Sequence, residues 1–336
     1  ISGLGNFIST HAISAGGILG AGSMHVAAEG TGYYVPSDIA ALQFGGRSFG
    51  VVAGATSSSL SVFQVGKTGA LTTTDHIVDE LTTRFQSVTA LATAVVDGRG
   101  FVIAGGADGG ISIFTLLPDG RLLHLQTIAD TADMVLGKVS AIEAQVIGGR
   151  IVLLVTSDGE TGVTQLAIDP GAIGQTGLAG AGVVTGSDRD DLLVATGATT
   201  QLKGGAGDDI LVTGQANIKL TGGAGADIFA ITRFDGRVVI ADYEPGVDQL
   251  DLSMLGMIRS TWQLKFAPQS WGMRIVYGNS VLEVRTLSGQ SLAPTDFGNG
   301  MFPIGHYWLP ELDPLLIGTP PTTVGKWVFG GEGADR

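Results

Sequence analysis

Three aspartates stand eighteen residues apart, at Asp191, Asp209 and Asp227. If the chain coils back on itself with that period, their carboxylates stack at about the 4.8 Å spacing of neighbouring strands. Stacked carboxylates repel one another unless a cation lies between them. Carboxylate and turn carbonyl oxygens, with no Cys or His nearby, favour Ca²⁺ over zinc or copper. The spacing therefore predicts a calcium-binding stack.

These aspartates belong to a nine-residue frame that runs from Gly186 to Ala230. The eighth position is apolar in all five units: Leu193, Leu202, Leu211, Leu220 and Phe229. In the third and fifth units glycine fills the first, second and fourth places: Gly204, Gly205, Gly207, Gly222, Gly223 and Gly225. Glycine permits positive φ and the close backbone packing of a tight turn. The frame predicts a coil of two units with short strands, a narrow apolar core and the aspartate at a turn.

The sixth position alternates along this frame. It is Asp in the first, third and fifth units but Thr200 and Ile218 in the second and fourth. Only one edge of the coil then carries carboxylates. We expect one cation site between the Asp191 and Asp209 turns and another between the Asp209 and Asp227 turns. A flexible glycine-rich linker is the alternative, but a linker would not keep apolar residues in register over five units.

The stretches GGAGDDIL at 204–211 and GGAGADIF at 222–229 resemble the GGxGxDxUx repeat of RTX calcium-binding proteins. The resemblance covers residues 180 to 300 and implies a parallel β-roll with about two Ca²⁺ ions. It implies ligands among the three aspartates, Asp188 and the turn glycines, which are Gly186, Gly204, Gly205, Gly207, Gly222, Gly223 and Gly225. Residues 240–253 are similar to the flank that follows such rolls, where Asp242, Asp248 and Asp251 could supply a further site. The run GGEGAD at 330–335, which includes Asp335, resembles the start of a second roll.

The front half of the chain repeats with a longer period. Segments 39–47, 91–99 and 142–150 align at a spacing of 51 to 52 residues, and each precedes an apolar strand. Four strands per unit are typical of a β-propeller blade, and the pattern resembles quinoprotein-like or lactonase-like propellers. About three blades are present, fewer than the usual four to eight. Three explanations are open. The remaining blades could lie in preceding sequence, which we favour, or other copies of the chain could complete a ring. Alternatively, the same sheets pack in a different way.

We therefore expect an all-β protein with partial β-propeller-like four-stranded repeats, a parallel β-roll and a β-strand flank. The expected divisions are 1–175 for the repeats, 176–256 for the roll and its flank, 257–311 for a C-terminal β-strand cap and 312–336 for the start of a second roll. The net charge of −13 disfavours nucleic acid and anionic membranes as partners. No apolar run of 18 residues occurs, so no membrane span is expected. With no cysteine, disulfides and thiol chemistry are excluded for these residues.

The sequence favours a binding or structural role over catalysis. Its five histidines show no metal-ligand spacing, and no hydrolase, zinc-protease, P-loop or dinucleotide motif occurs, so no catalytic residue is assigned. We expect a secreted or cell-surface calcium-binding protein with a structural, adhesive or assembly role, which self-associates or binds a cell-surface partner. The resemblance implies type I export from a Gram-negative bacterium and folding on extracellular Ca²⁺. The alternative is a secreted hydrolase or lactonase-like enzyme whose catalytic part lies in the propeller or in further sequence.

Overall fold

The computed structural model describes residues 5–27 and 32–307, together with Ile1. The described residues are almost entirely strands and turns, as the all-β prediction requires, and their helices are single 3₁₀ turns such as Thr261–Gln263. None of the described helices is long and apolar enough to cross a membrane. The predicted second roll at 312–336, with Asp335, lies outside the described residues.

The front half consists of antiparallel strands joined by tight turns. A hairpin comes first, formed by β1 (Phe7–Ile13) and β2 (Leu19–Val26). The first meander contains β3 (Pro36–Phe44), β4 (Arg47–Gly54), β5 (Ser59–Val65) and β6 (Leu71–Val78). The second contains β7 (Ala90–Val96), β8 (Arg99–Gly105), β9 (Gly110–Leu116) and β10 (Leu122–Ala129). The third contains β11 (Val139–Ile147), β12 (Arg150–Ser157) and β13 (Thr164–Ile168).

The three meanders pack face to face. Phe49, Phe85 and Phe114 belong to a buried cluster shared by the first and second meanders. A further cluster joins the second and third meanders, with Phe101 and Ile151 among its members. Burying large apolar side chains in this way contributes about 1.5–3 kcal/mol each. The strands follow the order that the long repeat predicts, and the shared apolar clusters join each meander to the next.

A parallel β-solenoid of about four turns follows. Its first sheet contains β14 (Ile173–Leu178), β16 (Asp190–Val194), β18 (Ile210–Val212), β20 (Ile228–Ala230) and β22 (Gln249–Asp251). Its second sheet contains β15 (Gly182–Thr185), β17 (Thr199–Ala206), β19 (Ile218–Ala224), β21 (Gly236–Tyr243) and β25 (Ser280–Thr286). The antiparallel strands β24 (Gly272–Tyr277) and β23 (Lys265–Gln269) extend the second sheet.

The register of the solenoid confirms the eighteen-residue coil. Leu193 pairs with Leu211, and Leu211 pairs with Phe229. In the second sheet Leu202 pairs with Leu220. All five side chains at the eighth position of the frame are buried between the two sheets, with at most 3% of their surface exposed. The apolar frame therefore forms the core that the sequence predicts.

The solenoid also contacts the meanders. Leu117 and Leu123 of the second meander pack against Leu192 and Ile210 on the outer side of the first solenoid sheet. After the strands that extend the second sheet, the chain returns to the first meander as β26 (Gly305–His306), which pairs with β6. The segment that was expected to cap the roll thus also covers an edge of the first meander.

Candidate metal centre

The three aspartates of the frame form a ladder along one edge of the solenoid. The backbone N–H of Asp191 donates to Oδ1 of Asp209 over 2.8 Å, and the N–H of Asp209 donates to Oδ1 of Asp227 over 2.9 Å. Each carboxylate is therefore tied to the coil before it. Because the coils are in register, the side chains lie one above the other as the spacing predicts.

Asp248 is the fourth rung of this ladder. Its Oδ1 accepts from the backbone N–H of Asp227 over 3.0 Å, and its Oδ2 accepts from the N–H of Glu244 over 2.8 Å. The pairing of Phe229 with Leu250 shows that this coil is longer than eighteen residues. The added loop residues hide Asp248 from a strict eighteen-residue search. We call the row of Asp191, Asp209, Asp227 and Asp248 the aspartate edge.

The turn glycines are required for two different reasons, a positive φ at some positions and a lack of space for a Cβ atom at others. Gly205, Gly207, Gly223 and Gly225 have φ values of +131°, +106°, +116° and +135°, which L side chains rarely adopt. Gly204 is required for space instead. A Cβ atom there would lie 2.0 Å from Oδ2 of Asp209 and 2.6 Å from the carbonyl oxygen of Gly222. A carboxylate oxygen and a carbonyl oxygen of the next coil therefore converge beside Gly204.

Crowding and burial also raise the pKa values of Asp209 and Asp227, the two central residues of the aspartate edge. Asp209 is fully buried, and its Oδ2 has no hydrogen-bond partner. Burial, together with repulsion from Asp227 and Asp191, raises the pKa of Asp209 to about 7. Burial and the nearby Asp248 and Asp242 raise the pKa of Asp227 to about 6. A cation bound here would offset the repulsion and bring both pKa values down.

The first rung is satisfied by the protein itself. The carboxylate of Asp191 accepts from the backbone N–H groups of Gln175 and Ser187 and from the Ser187 hydroxyl at 3.0 and 3.1 Å. The guanidinium of Arg99 in the second meander lies beside this rung, 4% exposed, and donates to the carbonyl oxygen of Asp190 over 2.5 Å. The negative charges of the Asp190, Asp191 and Asp209 carboxylates favour the charged form of the Arg99 guanidinium.

These contacts show which predicted site fits a metal ion. Within the described residues no three His, Cys, Asp or Glu side chains converge as a metal-binding group. A calcium site here would therefore need backbone carbonyls as well, which Ca²⁺ commonly accepts among its six to eight oxygen ligands. The Asp209 and Asp227 carboxylates with the Gly222 carbonyl fit this chemistry. The site between the Asp191 and Asp209 turns fits less well, because Asp191 is saturated by donors and Arg99 already supplies positive charge.

The remaining predicted residues lie in different environments. Asp242 accepts from the backbone N–H groups of Gly222 and Gly223, both over 3.0 Å, so it fixes the last glycine turn. Asp188 is exposed. Asp251 is fully buried, accepts from the Ser253 N–H over 2.8 Å and lies near His306 instead of the aspartate edge. Asp242 and Asp248 therefore lie beside Asp227, whereas Asp251 does not join them.

A second row of carboxylates was overlooked in the sequence. The N–H of Asp208 donates to Oδ1 of Asp190 over 2.9 Å, and the N–H of Ala226 donates to Oδ1 of Asp208 over 2.7 Å. This row lies one residue before the aspartate edge and repeats with the same period. Its signal in the sequence is the Asp-Asp pairs at 190–191 and 208–209, whose first members stand at the fifth position of the frame instead of the sixth.

The opposite edge carries neutral threonines. The N–H of Thr232 donates to Oγ1 of Thr213 over 2.8 Å, and Oγ1 of Thr232 donates to the carbonyl oxygen of Thr213 over 2.8 Å. One coil earlier, Oγ1 of Thr199 donates to the Gly180 carbonyl oxygen over 2.8 Å. We call Thr199, Thr213 and Thr232 the threonine edge. Its buried hydroxyls are all hydrogen-bonded, so it needs no cation.

Comparison with known proteins adds no family assignment. No protein-family model matches the chain, and no curated protein matches it significantly. The likeness to RTX rolls therefore rests on the repeat residues and on the solenoid that they form.

Proposed function

We propose that this chain is a secreted calcium-binding protein with a structural or adhesive role, whose β-roll folds on extracellular Ca²⁺. The observation that carries the proposal is the buried Oδ2 of Asp209, which has no partner and lies beside the Gly222 carbonyl within a stack of carboxylates. A buried carboxylate oxygen without a donor is costly. Calcium supplies the missing partner and neutralises the stack.

Calcium concentration then controls folding of the roll. Extracellular calcium modules commonly bind with dissociation constants of about 10⁻⁴–10⁻³ M. In the calcium-poor cytosol, Asp209 and Asp227 would either hold protons or repel one another, which keeps the roll unstable during export. Outside the cell, the free energy of calcium binding becomes free energy of folding. This behaviour suits a protein exported by a type I system.

The finer structural assignments are part of the same proposal. We infer that the coils are RTX repeats and that the three face-to-face meanders are propeller-like blades. The best-fitting ion lies between the Asp209 and Asp227 turns. A second ion at the first rung would compete with the Arg99 guanidinium, so we expect it to bind more weakly than the first.

The enzyme alternative gains no support from the described contacts. Ser61 Oγ and His76 Nδ1 lie 2.8 Å apart, which is a distance suited to a nucleophile and its base. Ser61 is fully buried, however, and His76 is 5% exposed. Burial lowers the pKa of His76 to about 4. A substrate cannot reach this pair, so it stabilises the first meander instead of performing hydrolysis.

Hydrogen–deuterium exchange with and without calcium tests the proposed function. We expect millimolar calcium to slow exchange at the amides of Asp191, Asp209 and Asp227, whose acceptors are the ladder carboxylates and the adjacent coils. Amides in the second meander provide an internal control. Magnesium is the ion control, because it prefers a smaller octahedral site. Equal exchange with and without calcium in the roll would contradict the proposal.

A further inference from the structure

The outer face of the second solenoid sheet carries one basic side chain on each of six consecutive strands. The strands are β17, β19, β21, β25, β24 and β23 in spatial order. The residues, in the same order, are Lys203, Lys219, Arg237, Arg285, Arg274 and Lys265. We call this set the basic face. It holds a third of the 18 Lys and Arg residues of a chain whose net charge is −13.

Strand alternation places all six side chains on the same side. Their inward neighbours Leu202, Leu220, Val238, Val284 and Ile275 are buried in the core. Side chains next to these in sequence must therefore point outward. The register agrees, since Arg237 pairs with Val281 and Arg274 pairs with Glu283 across the sheet. Five of the six are exposed, and Arg285 is half-buried.

The positive charge of this face is largely uncompensated. The six strands contain two acids, Asp242 and Glu283. Asp242 is bound to the backbone of the last glycine turn, and Glu283 pairs with Arg237 at 2.9 Å and with Arg285 at 2.7 Å. Lys203, Lys219, Arg274 and Lys265 make no ion pair with any described residue.

A groove lies within this face. Its volume is about 380 Å³, and its lining includes Lys219, Arg237 and Arg285 together with the polar side chains of Asn217 and Thr200. An arginine and a lysine side by side can hold a carboxylate through charge-assisted hydrogen bonds. The neutral amide and hydroxyl groups beside them can bond to sugar hydroxyls. Gln201 adds a similar group at an outward position of β17.

We propose that the basic face binds an acidic polysaccharide, a linear polymer that carries carboxylates at regular intervals. Strands lie about 4.8 Å apart, so six of them place the cations along roughly 24 Å. The register staggers the cations along the strands, since Lys219 pairs with Val239 and Arg274 pairs with Glu283, so the six form a broad band across the sheet instead of a single row. A polymer laid over this band passes near one cation on each strand. The outward positions of these six strands carry no aromatic side chain, and the nearby Trp271 ring is covered by the Arg285 guanidinium, 5.0 Å from its centroid, so no row of rings is present on which single-stranded nucleic acid would stack. They also lack the large apolar anchors of a membrane-surface site.

The biological sense of this inference rests on the proposed extracellular role, but the binding surface is separate from the calcium site, although the Lys219 charge acts on Asp242 at the last glycine turn. The aspartate edge lies at the turns, whereas the basic face lies on the flat outer side of the sheet. Calcium-dependent protection of the roll and binding of a polysaccharide can thus fail separately. Loss of the first contradicts the proposed function, and loss of the second contradicts this inference alone.

The test measures binding of polygalacturonate by the full chain in millimolar calcium, with neutral dextran as the uncharged control. We expect the affinity to fall with salt, as for other polyelectrolyte interactions. Lys219→Glu should weaken binding about tenfold or more. The matched control is Lys67→Glu, which makes the same charge change on an exposed turn of the first meander and should leave the affinity within about twofold.

Folding of each variant is checked by its calcium-dependent unfolding transition, so that a misfolded protein is not mistaken for a lost site. Arg274→Glu provides a second reversal on another strand and should weaken binding in the same direction. Equal binding of dextran and polygalacturonate would overturn the inference, as would equal losses in Lys219→Glu and Lys67→Glu. Binding of dextran sulfate, anionic vesicles or single-stranded DNA without binding of polygalacturonate would overturn it as well.

Discussion

The two edges of the solenoid share one backbone coil and one apolar core, yet they differ in how their turns are satisfied. On the threonine edge, hydroxyls such as Thr213 and Thr232 donate and accept within the protein. On the aspartate edge, Asp209 is equally buried but keeps one oxygen without a donor. The named hydroxyls of one edge are therefore hydrogen-bonded within the protein, while the other edge keeps a buried carboxylate oxygen without a partner.

This difference indicates that the fold of the roll and its proposed response to calcium are determined by different residues. The strand register and the core specify a coil without reference to any ion. On the proposed function, the turn side chain then decides whether the coil is stable under all conditions or only where calcium is present. Within the aspartate edge the same contrast recurs, because Asp191 is saturated by Ser187 and Gln175 whereas Asp209 is not.

The largest effect is expected from filling the space beside Gly204. Gly204→Ala would place a methyl group 2.0 Å from Oδ2 of Asp209, so the turn must shift. We expect a loss of about 3 kcal/mol in the free energy of unfolding, measured by urea denaturation in calcium. Gly197→Ala is the matched change on the other edge. Its new methyl would have Gln215 Oε1 at 3.7 Å as its nearest neighbour, and an effect as large as that of Gly204→Ala would contradict the comparison.

Removing the central charge should abolish the response to calcium. Asp209→Asn keeps the shape of the side chain but removes the negative charge. At calcium concentrations a hundredfold above the dissociation constant, the wild type gains about 2.7 kcal/mol from binding, and the variant should lose that gain. Without calcium at pH 8, the variant should be at least as stable as the wild type, because a buried charge is gone.

The control for this change lies on the threonine edge. Thr213→Val removes the hydroxyl that accepts from the Thr232 N–H and that lies 3.2 Å from the Thr232 hydroxyl, and it should cost about 1 kcal/mol. The midpoint of its calcium titration should match that of the wild type. A shift of that midpoint comparable to the effect of Asp209→Asn would mean that the two edges are not independent.

The pH dependence should reverse when calcium is added. The pKa of Asp209 is raised to about 7 and that of Asp227 to about 6. Without metal, the folded protein holds more protons than the unfolded chain between about pH 4 and 7, so stability falls as pH rises through that range. The two groups together span about three pKa units between pH 5 and pH 8, so we expect a loss of up to about 4 kcal/mol without calcium.

Protons compete with calcium for the same carboxylates. In calcium, the metal-derived stability should therefore be lost as pH falls through 7. Thermal unfolding at several pH values, with calcium or with chelator, measures both trends. Parallel pH profiles in the two conditions would show that the aspartate edge does not control stability.

A smaller effect is expected where the second meander meets the first rung. Arg99→Met removes the donor to the Asp190 carbonyl oxygen and should cost about 1.5 kcal/mol in stability. It should also tighten calcium binding, because a fixed positive charge beside Asp191 and Asp209 is lost. Arg150, at the matching repeat position, is exposed and pairs with Asp169, so Arg150→Met should change stability by about 0.5 kcal/mol or less. Weaker calcium binding by Arg99→Met would contradict the role given to this guanidinium.

The periodic part of the structure could be predicted from the sequence. The eighteen-residue register, the buried eighth positions from Leu193 to Phe229 and the stacking of Asp191 with Asp209 follow from a repeat that the local backbone obeys. The strands of the meanders followed from the longer repeat for the same reason. In each case, short-range spacing fixed which residues lie on one side of a strand or turn.

The rest depends on contacts between distant parts of the chain. Ser187, whose hydroxyl donates to the Asp191 carboxylate, stands where a repeat glycine was expected. Arg99, which donates to the Asp190 carbonyl oxygen, belongs to the second meander. The return of His306 to Asp75 joins residues 231 positions apart. Asp248 was missed as a rung because the last coil is longer. None of these contacts recurs at a regular interval along the sequence, so a repeat pattern could not predict them.

Calorimetric titration of calcium into the chelator-treated protein at pH 7 tests the central claim most directly. Measured in two buffers of different ionisation enthalpy, the heat reports calcium uptake and proton release together. We predict saturable binding with a dissociation constant of about 10⁻⁴–10⁻³ M, accompanied by release of protons from Asp209 and Asp227 and abolished by Asp209→Asn. Absence of saturable binding at millimolar calcium, or the same binding in Asp209→Asn, would contradict the account.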